Sequence, residues 1–207
     1  LLLSFEEIDK GNLSLDEEVT ISKNASSMGG SQVFLEENGR YKVKDLLKSI
    51  TVASANDASV AMAERLYGSE ESCVDAMNKK AKELGCRDTY FITPNGLDAQ
   101  THYSTARDMA YLAAAAAGDP TFVRLCSTVQ VSAAGRTMSN HNRLLREVEG
   151  CIGMKTGYTR QAEYCLMSAF KCGDGRQLVI GVFGYANELQ RFREAIAMAD
   201  ACKALMK

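Results

Sequence analysis

No stretch of this chain approaches the roughly 20 consecutive apolar residues that span a bilayer. The alanine run at 113–117 is far shorter and reads as a site of close helix packing. No basic stripe interleaves with aromatics, and the formal net charge is only -2, so nucleic-acid binding is not expected. Lys79, Lys80 and Lys82 share one predicted helix face, which reads as solvated surface. The seven cysteines include no C-x-x-C pair, which leaves zinc ribbons and dithiol redox motifs unsupported. Their odd number argues against a complete disulfide framework and for several small buried thiols. His102 and His141 stand apart in the sequence, without H-E-x-x-H, so neither a metal nor a cofactor is expected. Also missing are a leading Met and a signal peptide. The chain opens at Leu1 with a helix already under way and reads as a piece of a longer protein.

What is present fits one domain, or one with a small subdomain: 207 residues, 46% hydrophobic and 24% charged. Residues 1–10 read as the end of a helix stopped by Gly11-Asn12. Segments 18–22 and 32–35 look extended, and 24–31 is a Ser/Asn/Gly loop. Leu46, Leu47, Ile50 and Ala53 recur at helical spacing, and further helices are predicted over 57–67 and 70–84, closed by Gly68 and Gly85. Ser104 or Thr105 caps a helix through the alanine run, which Gly118-Asp119-Pro120 ends. The last third changes period. Strands are predicted over 151–158, 164–170 and 177–183, with a hairpin turn at Gly173-Asp174-Gly175, and an amphipathic helix over 187–206. The fold class expected is therefore α+β, an antiparallel sheet flanked by helices.

Two short segments carry chemistry. Ser54-Ala55-Asn56 falls between two predicted helices, where the plain alternative is an interhelical turn with Asn56 as N-cap. Lys155-Thr156-Gly157 ends a predicted strand, and by itself a tripeptide can arise by chance. As a pair they match the S-x-N and K-T-G elements of penicillin-reactive serine hydrolases, in the right order and setting. The residue types suit acyl transfer. A serine hydroxyl is a poor nucleophile at neutral pH and needs a lysine to take its proton. A second Ser–Lys pair can serve the leaving amine, and a glycine leaves room for a substrate backbone at the strand edge.

The surroundings extend the match. Ser54-Ala55-Asn56-Asp57-Ala58, Thr93-Pro94-Asn95-Gly96-Leu97-Asp98 and the run from His102 to Ala110 resemble segments of low-molecular-mass D-alanyl-D-alanine carboxypeptidases. So do 140–145 and Gly153-Met154-Lys155-Thr156-Gly157-Tyr158-Thr159. The resemblance implies a β-lactamase/transpeptidase-like fold in which 1–207 is a penicillin-binding catalytic domain, with a helical subdomain at about 41–150 and the sheet and last helix at about 151–207. It implies removal of the terminal D-alanine from peptidoglycan stem peptides through an acyl-enzyme, with β-lactams as covalent inhibitors. It also implies an exported protein of the cell envelope, with membrane association only through segments not present here. Ser54 would then serve the leaving amine, Asn56 the substrate backbone, and Lys155 would hold positive charge against the hydroxyls. Thr156 and Arg191 would bind the terminal carboxylate, Gly157 would admit the substrate, and the N–H of Tyr158 would form half of an oxyanion hole. Asp98, Arg107 and Asp108 read as structural.

One departure stands out. The family's S-x-x-K belongs before Ser54, whereas the one such spacing is Ser168-Ala169-Phe170-Lys171, on a predicted strand. The expectation is that the nucleophilic Ser and base Lys lie upstream of Leu1 and are absent from this chain. Without preceding strands, 177–183 would be an open sheet edge, and the 207 residues alone would not fold stably. The alternatives are a non-catalytic muropeptide binder, or an endopeptidase or β-lactamase of the same fold. No E-x-x-L-N occurs, which lowers the β-lactamase reading.

Overall fold

The computed structural model describes residues 1–173 and 175–205, with side chains through 202. Asp174 in the expected hairpin turn and Met206 at the expected end of the last helix therefore lie outside the described residues, as do the side chains of Lys203 and Leu205.

A short helix, α1 (Leu2–Asp9), buries Phe5 edge-on against Phe122, with ring centroids 5.8 Å apart. β1 (Glu18–Thr20) and β2 (Arg40–Lys42) pair antiparallel, with α2 (Lys23–Ser26) between them in sequence, capped by the Ser22 hydroxyl. The segment 24–31 is thus not all loop. The expected strand at 32–35 does not form either. Its Val33 and Leu35 N–H groups donate to the buried Asp57 carboxylate instead of to a neighbouring strand.

Three helices follow: α3 (Val43–Ala53), α4 (Asn56–Tyr67) and α5 (Glu70–Glu83). Ser69 caps α5, with Glu70 and Glu71 in its first turn and Lys80 and Lys82 in its last, the charge order the helix dipole favours. α6 (Ala106–Ala117) starts at Thr105, whose hydroxyl accepts from Asp108 N–H, and buries Ala113, Ala116 and Ala117. The expected stop at Gly118-Asp119-Pro120 is also a start. Asp119 caps α7 (Pro120–Cys126) by accepting from the N–H groups of Thr121 and Phe122. A hairpin of β3 (Gln130–Ala133) and β4 (Arg136–Ser139), then the single turn α8 (Leu144–Glu147), complete the middle.

The last third is an antiparallel sheet in the order β5 (Cys151–Thr159), β6 (Glu163–Lys171), β7 (Gln177–Tyr185). Side chains alternate across it, as strand geometry requires. Leu166 and Phe170 share one cluster with Ile180, Val182 and the residues Phe192, Ala195 and Ala199 of the closing helix α9 (Glu188–Leu205). Met167 and Ala169 face the opposite way and join the larger core that includes Ala113, Ala116 and Phe122. At the crossing of β5 and α7, a Cβ on Gly153 would stand 3.0 Å from that of Cys126, so the two backbones approach as closely as glycine permits. Among the described residues, β5 is one edge of the sheet, and its residues Lys155 to Thr159 line the cavity described next.

Candidate active site

The S-x-N segment is held by its backbone. α3 ends at Ser54 in the left-handed region, φ 58° and ψ 36°, a conformation that costs a non-glycine residue roughly 1 kcal/mol. Ala55 is extended and forms the N-cap of α4, so Asn56 is the first helical residue and not the cap. Its N–H donates to Ser31 O at 2.8 Å and its side-chain amide to Gly29 O at 2.8 Å. Gly30, at φ +76°, is what allows this fit, because a Cβ there would lie 2.7 Å from Asn56 Nδ2. Asp57, fully buried, accepts from Val33 and Leu35 at 3.1 Å each and from Ala58 N–H at 2.9 Å. The loop before α3 is thereby pinned to the start of α4.

Across from this turn stands β5. Lys155 Nζ donates to Ser54 Oγ at 2.7 Å and to Thr156 O at 2.8 Å. An ammonium can only donate, so Ser54 accepts from Lys155 and its own proton points elsewhere. Burial, reinforced by the positive charge of Arg191, draws the Lys155 pKa down from 10.5 to about 8. Ser54, Asn56, Lys155, Thr156, Gly157, Tyr158 and Arg191 all line one cavity of about 850 Å³, together with the first residues of α1. Thr156 is buried, while Tyr158 is exposed and packs its ring 4.4 Å from that of Tyr164. A Cβ on Gly157 would meet only Cys165 Cβ, at 3.8 Å, so the protein itself leaves the space over this glycine open.

Arg191 lines the cavity but is not a free fork. It is 3% exposed, Nη1 donates to the carbonyls of Gly157 and Cys165, and Nη2 donates to Glu188. His141, isolated in sequence, is not isolated in space. It lines the same cavity, where burial and then the charges of Lys155 and Arg191 lower its pKa and Glu188 opposes them. Neither His141 nor Glu188 was marked by sequence, although His141 sits within the matched segment 140–145. Ser168-Ala169-Phe170-Lys171 is no catalytic pair. Ser168 is fully buried within β6, Lys171 is exposed at its end, and a three-residue offset puts them on opposite faces. Asp108 is structural, as expected: buried, it accepts from Asp88 N–H and the Thr89 hydroxyl. Among the described residues no cluster of His, Cys, Asp or Glu could hold a metal, and no helix is long and apolar enough to cross a membrane. Cys73, Cys86 and Cys126 are buried.

Residues 1–187 match the peptidase S11 family, D-alanyl-D-alanine carboxypeptidase. The chain belongs to that family. It is 42% identical over 205 residues to D-alanyl-D-alanine carboxypeptidase DacF of Bacillus subtilis, covering 97% of this chain and 52% of that protein. It is 35% identical over 196 residues to DacD of Escherichia coli, covering 91% and 50% respectively. The chain thus spans about half the length of these relatives. Among solved structures, penicillin binding protein 5 from Haemophilus influenzae superposes with a TM-score of 0.89 at 31% identity, over 96% of this chain and 60% of that one. Penicillin binding protein 6B from Escherichia coli gives 0.86 at 33% identity, over 94% and 64%. The fold is therefore the α+β, β-lactamase/transpeptidase-like one of this carboxypeptidase family. The same matches correct the expectation of an enzyme without its nucleophile. The family model covers residues 1–187, and the two relatives align over 97% and 91% of this chain, a near full-length match to the S11 carboxypeptidases that conflicts with the claim that the nucleophile is absent.

Proposed function

We propose that this chain is the catalytic domain of a serine-type D-alanyl-D-alanine carboxypeptidase, acting outside the cytoplasmic membrane on peptidoglycan stem peptides and acylated by β-lactams. The reading treats 1–207 as one working unit, with the helical part at about 41–150 supplying Ser54 and Asn56 and the part at about 151–207 supplying Lys155, Thr156, Gly157, Tyr158 and Arg191. The observation that carries it is the Lys155–Ser54 hydrogen bond of 2.7 Å, joining residues 101 apart at the wall of one cavity.

The chemistry follows from that pair. A serine hydroxyl gives its proton to a base and attacks the carbonyl of the penultimate D-alanine; the C–N bond then breaks, and the last D-alanine leaves as an amine that needs a proton. Ser54, whose oxygen is already occupied by the Lys155 ammonium, has its own proton available for the leaving nitrogen and recovers one from Lys155. Asn56 holds the peptide backbone, Gly157 lets it lie along β5, and the Tyr158 N–H stabilises the developing oxyanion. Thr156 and Arg191 take the terminal carboxylate. The attacking hydroxyl has to stand within reach of Ser54 Oγ and Lys155 Nζ, which the 2.7 Å hydrogen bond holds together at the cavity wall.

Intact-protein mass after incubation with benzylpenicillin tests the proposal, with peptide mapping of the adduct to locate the acylated serine. A stoichiometric adduct, together with D-alanine release from a pentapeptide, is expected. Absence of both refutes the catalytic reading.

A further inference from the structure

The Arg191 guanidinium has an unusual set of neighbours. It is almost sealed from water, held between the Tyr164 and Phe192 rings at 5.2 and 4.7 Å. Two carbonyls, Gly157 O at 3.0 Å and Cys165 O at 3.2 Å, take Nη1, and Nε is buried without a partner. These dipoles do not neutralise the charge. The carboxylate that does is Glu188, at 2.9 Å from Nη2.

Glu188 differs from its partner in exposure: 53% of its side chain is accessible, against 4% for Arg191, and both line the cavity. It lies three residues earlier, as the first residue of α9. A rotamer change therefore carries its carboxylate into water without moving the helix. A buried cation paired with a half-exposed, locally tethered anion is an anion site with a displaceable occupant.

We propose that Glu188 is a built-in competitor for the anionic end of the ligand: its carboxylate holds Arg191 Nη2, and the terminal carboxylate of a stem peptide takes that position by displacing it. The inference rests on the proposed reading of this cavity as a peptide-acid site and adds a residue that sets its affinity and selectivity. Glu188 lowers apparent affinity for acids by the fraction of time Arg191 is available. It also disfavours unrelated anions that cannot compete with a tethered carboxylate.

The test is an NMR titration of the chain, and of Glu188→Gln and Glu188→Ala, with N-acetyl-D-alanyl-D-alanine and with its C-terminal amide. Exposed ion pairs are weak, so both variants are expected to bind the acid about two- to five-fold more tightly, with the amide unchanged. Unchanged or weaker acid binding in both variants overturns the proposal, because Glu188 then organises Arg191 and does not compete for it. Equal shifts for acid and amide overturn it too, by pointing to a change in cavity shape. Binding of neither compound overturns it as well, since no carboxylate then reaches Arg191. The titration needs no turnover, so a failed penicillin adduct counts against the catalytic reading and leaves these ratios readable.

Discussion

Lys155 offers the sharpest test of the site's electrostatics, because activity and stability should move in opposite directions with pH. Burial lowers its pKa to about 8. It is then about nine-tenths charged at pH 7 and about one-tenth charged at pH 9. The charge is what fixes the Ser54 hydroxyl, so acylation by a fluorescent penicillin should be flat to about pH 7.5 and fall about tenfold per unit above about 8. Stability behaves otherwise. Between 8 and the unfolded value of 10.5, the unfolded chain binds more protons than the folded one, so stability rises with pH across that window. Below about 8 the cost of the buried charge is present in full. The gain across the window is on the order of 3 kcal/mol at 1.36 kcal/mol per unit. Lys155→Arg should push the alkaline limb of acylation beyond the accessible range, at a lower absolute rate because a planar fork cannot serve both Ser54 Oγ and Thr156 O as Nζ does. Lys155→Met should abolish the rise in stability. A wild-type acylation rate that stays flat to pH 10, or a Lys155→Arg limb still near 8, would refute the argument.

Two further substitutions separate the scaffold from the site. Asp57→Ala strips the acceptor from three N–H groups, those of Val33, Leu35 and Ala58. At about 1–3 kcal/mol for each buried unsatisfied donor, a loss of at least about 3 kcal/mol is expected in denaturant unfolding, with Asp57→Asn milder because one oxygen remains. Gly30→Ala places a methyl 2.7 Å from Asn56 Nδ2 at a positive φ. Its stability should fall by about 1 kcal/mol, the usual cost of a left-handed alanine, while penicillin acylation slows about tenfold as Asn56 is displaced. Acylation at the wild-type rate would mean that the Asn56 amide does not hold the ligand.

The strands and long helices were legible because each has a local signature. The strand-like runs at 151–158, 164–170 and 177–183, the Gly68 stop and the Thr105 cap all lie within a few residues of what they control. The misses have non-local or double-valued causes. Residues 32–35 have the composition of a strand, but their N–H groups go to a carboxylate 22–24 residues away. Gly118-Asp119-Pro120 reads as a terminator, yet Asp-Pro is equally an N-cap followed by proline at the first helical position, and that is how α7 begins. The β3–β4 hairpin consists of two four-residue strands, too short for alternation to stand out.

The site divides along the same line. Residue types announce chemistry, so Ser54, Asn56, Lys155 and Thr156 could be named as candidates from motifs and Arg191 from the family resemblance, but type says nothing about which partner already occupies each group. Ser54 reaches Lys155 only because α3 ends in a left-handed residue, which no serine signals in advance. Arg191 carries the right fork for a carboxylate, and the structure shows that fork already in use, by Glu188 and two carbonyls. The lowered Lys155 pKa depends on burial and on the Arg191 charge together. Freeing Arg191 from Glu188 and changing the charge on Lys155 are therefore coupled perturbations. Removing Glu188 leaves the Arg191 charge less compensated, so the acylation limb of Glu188→Gln should shift to lower pH than wild type. A limb that stays in place would show that Arg191 and Lys155 are screened from one another, and that the two ends of the cavity work independently.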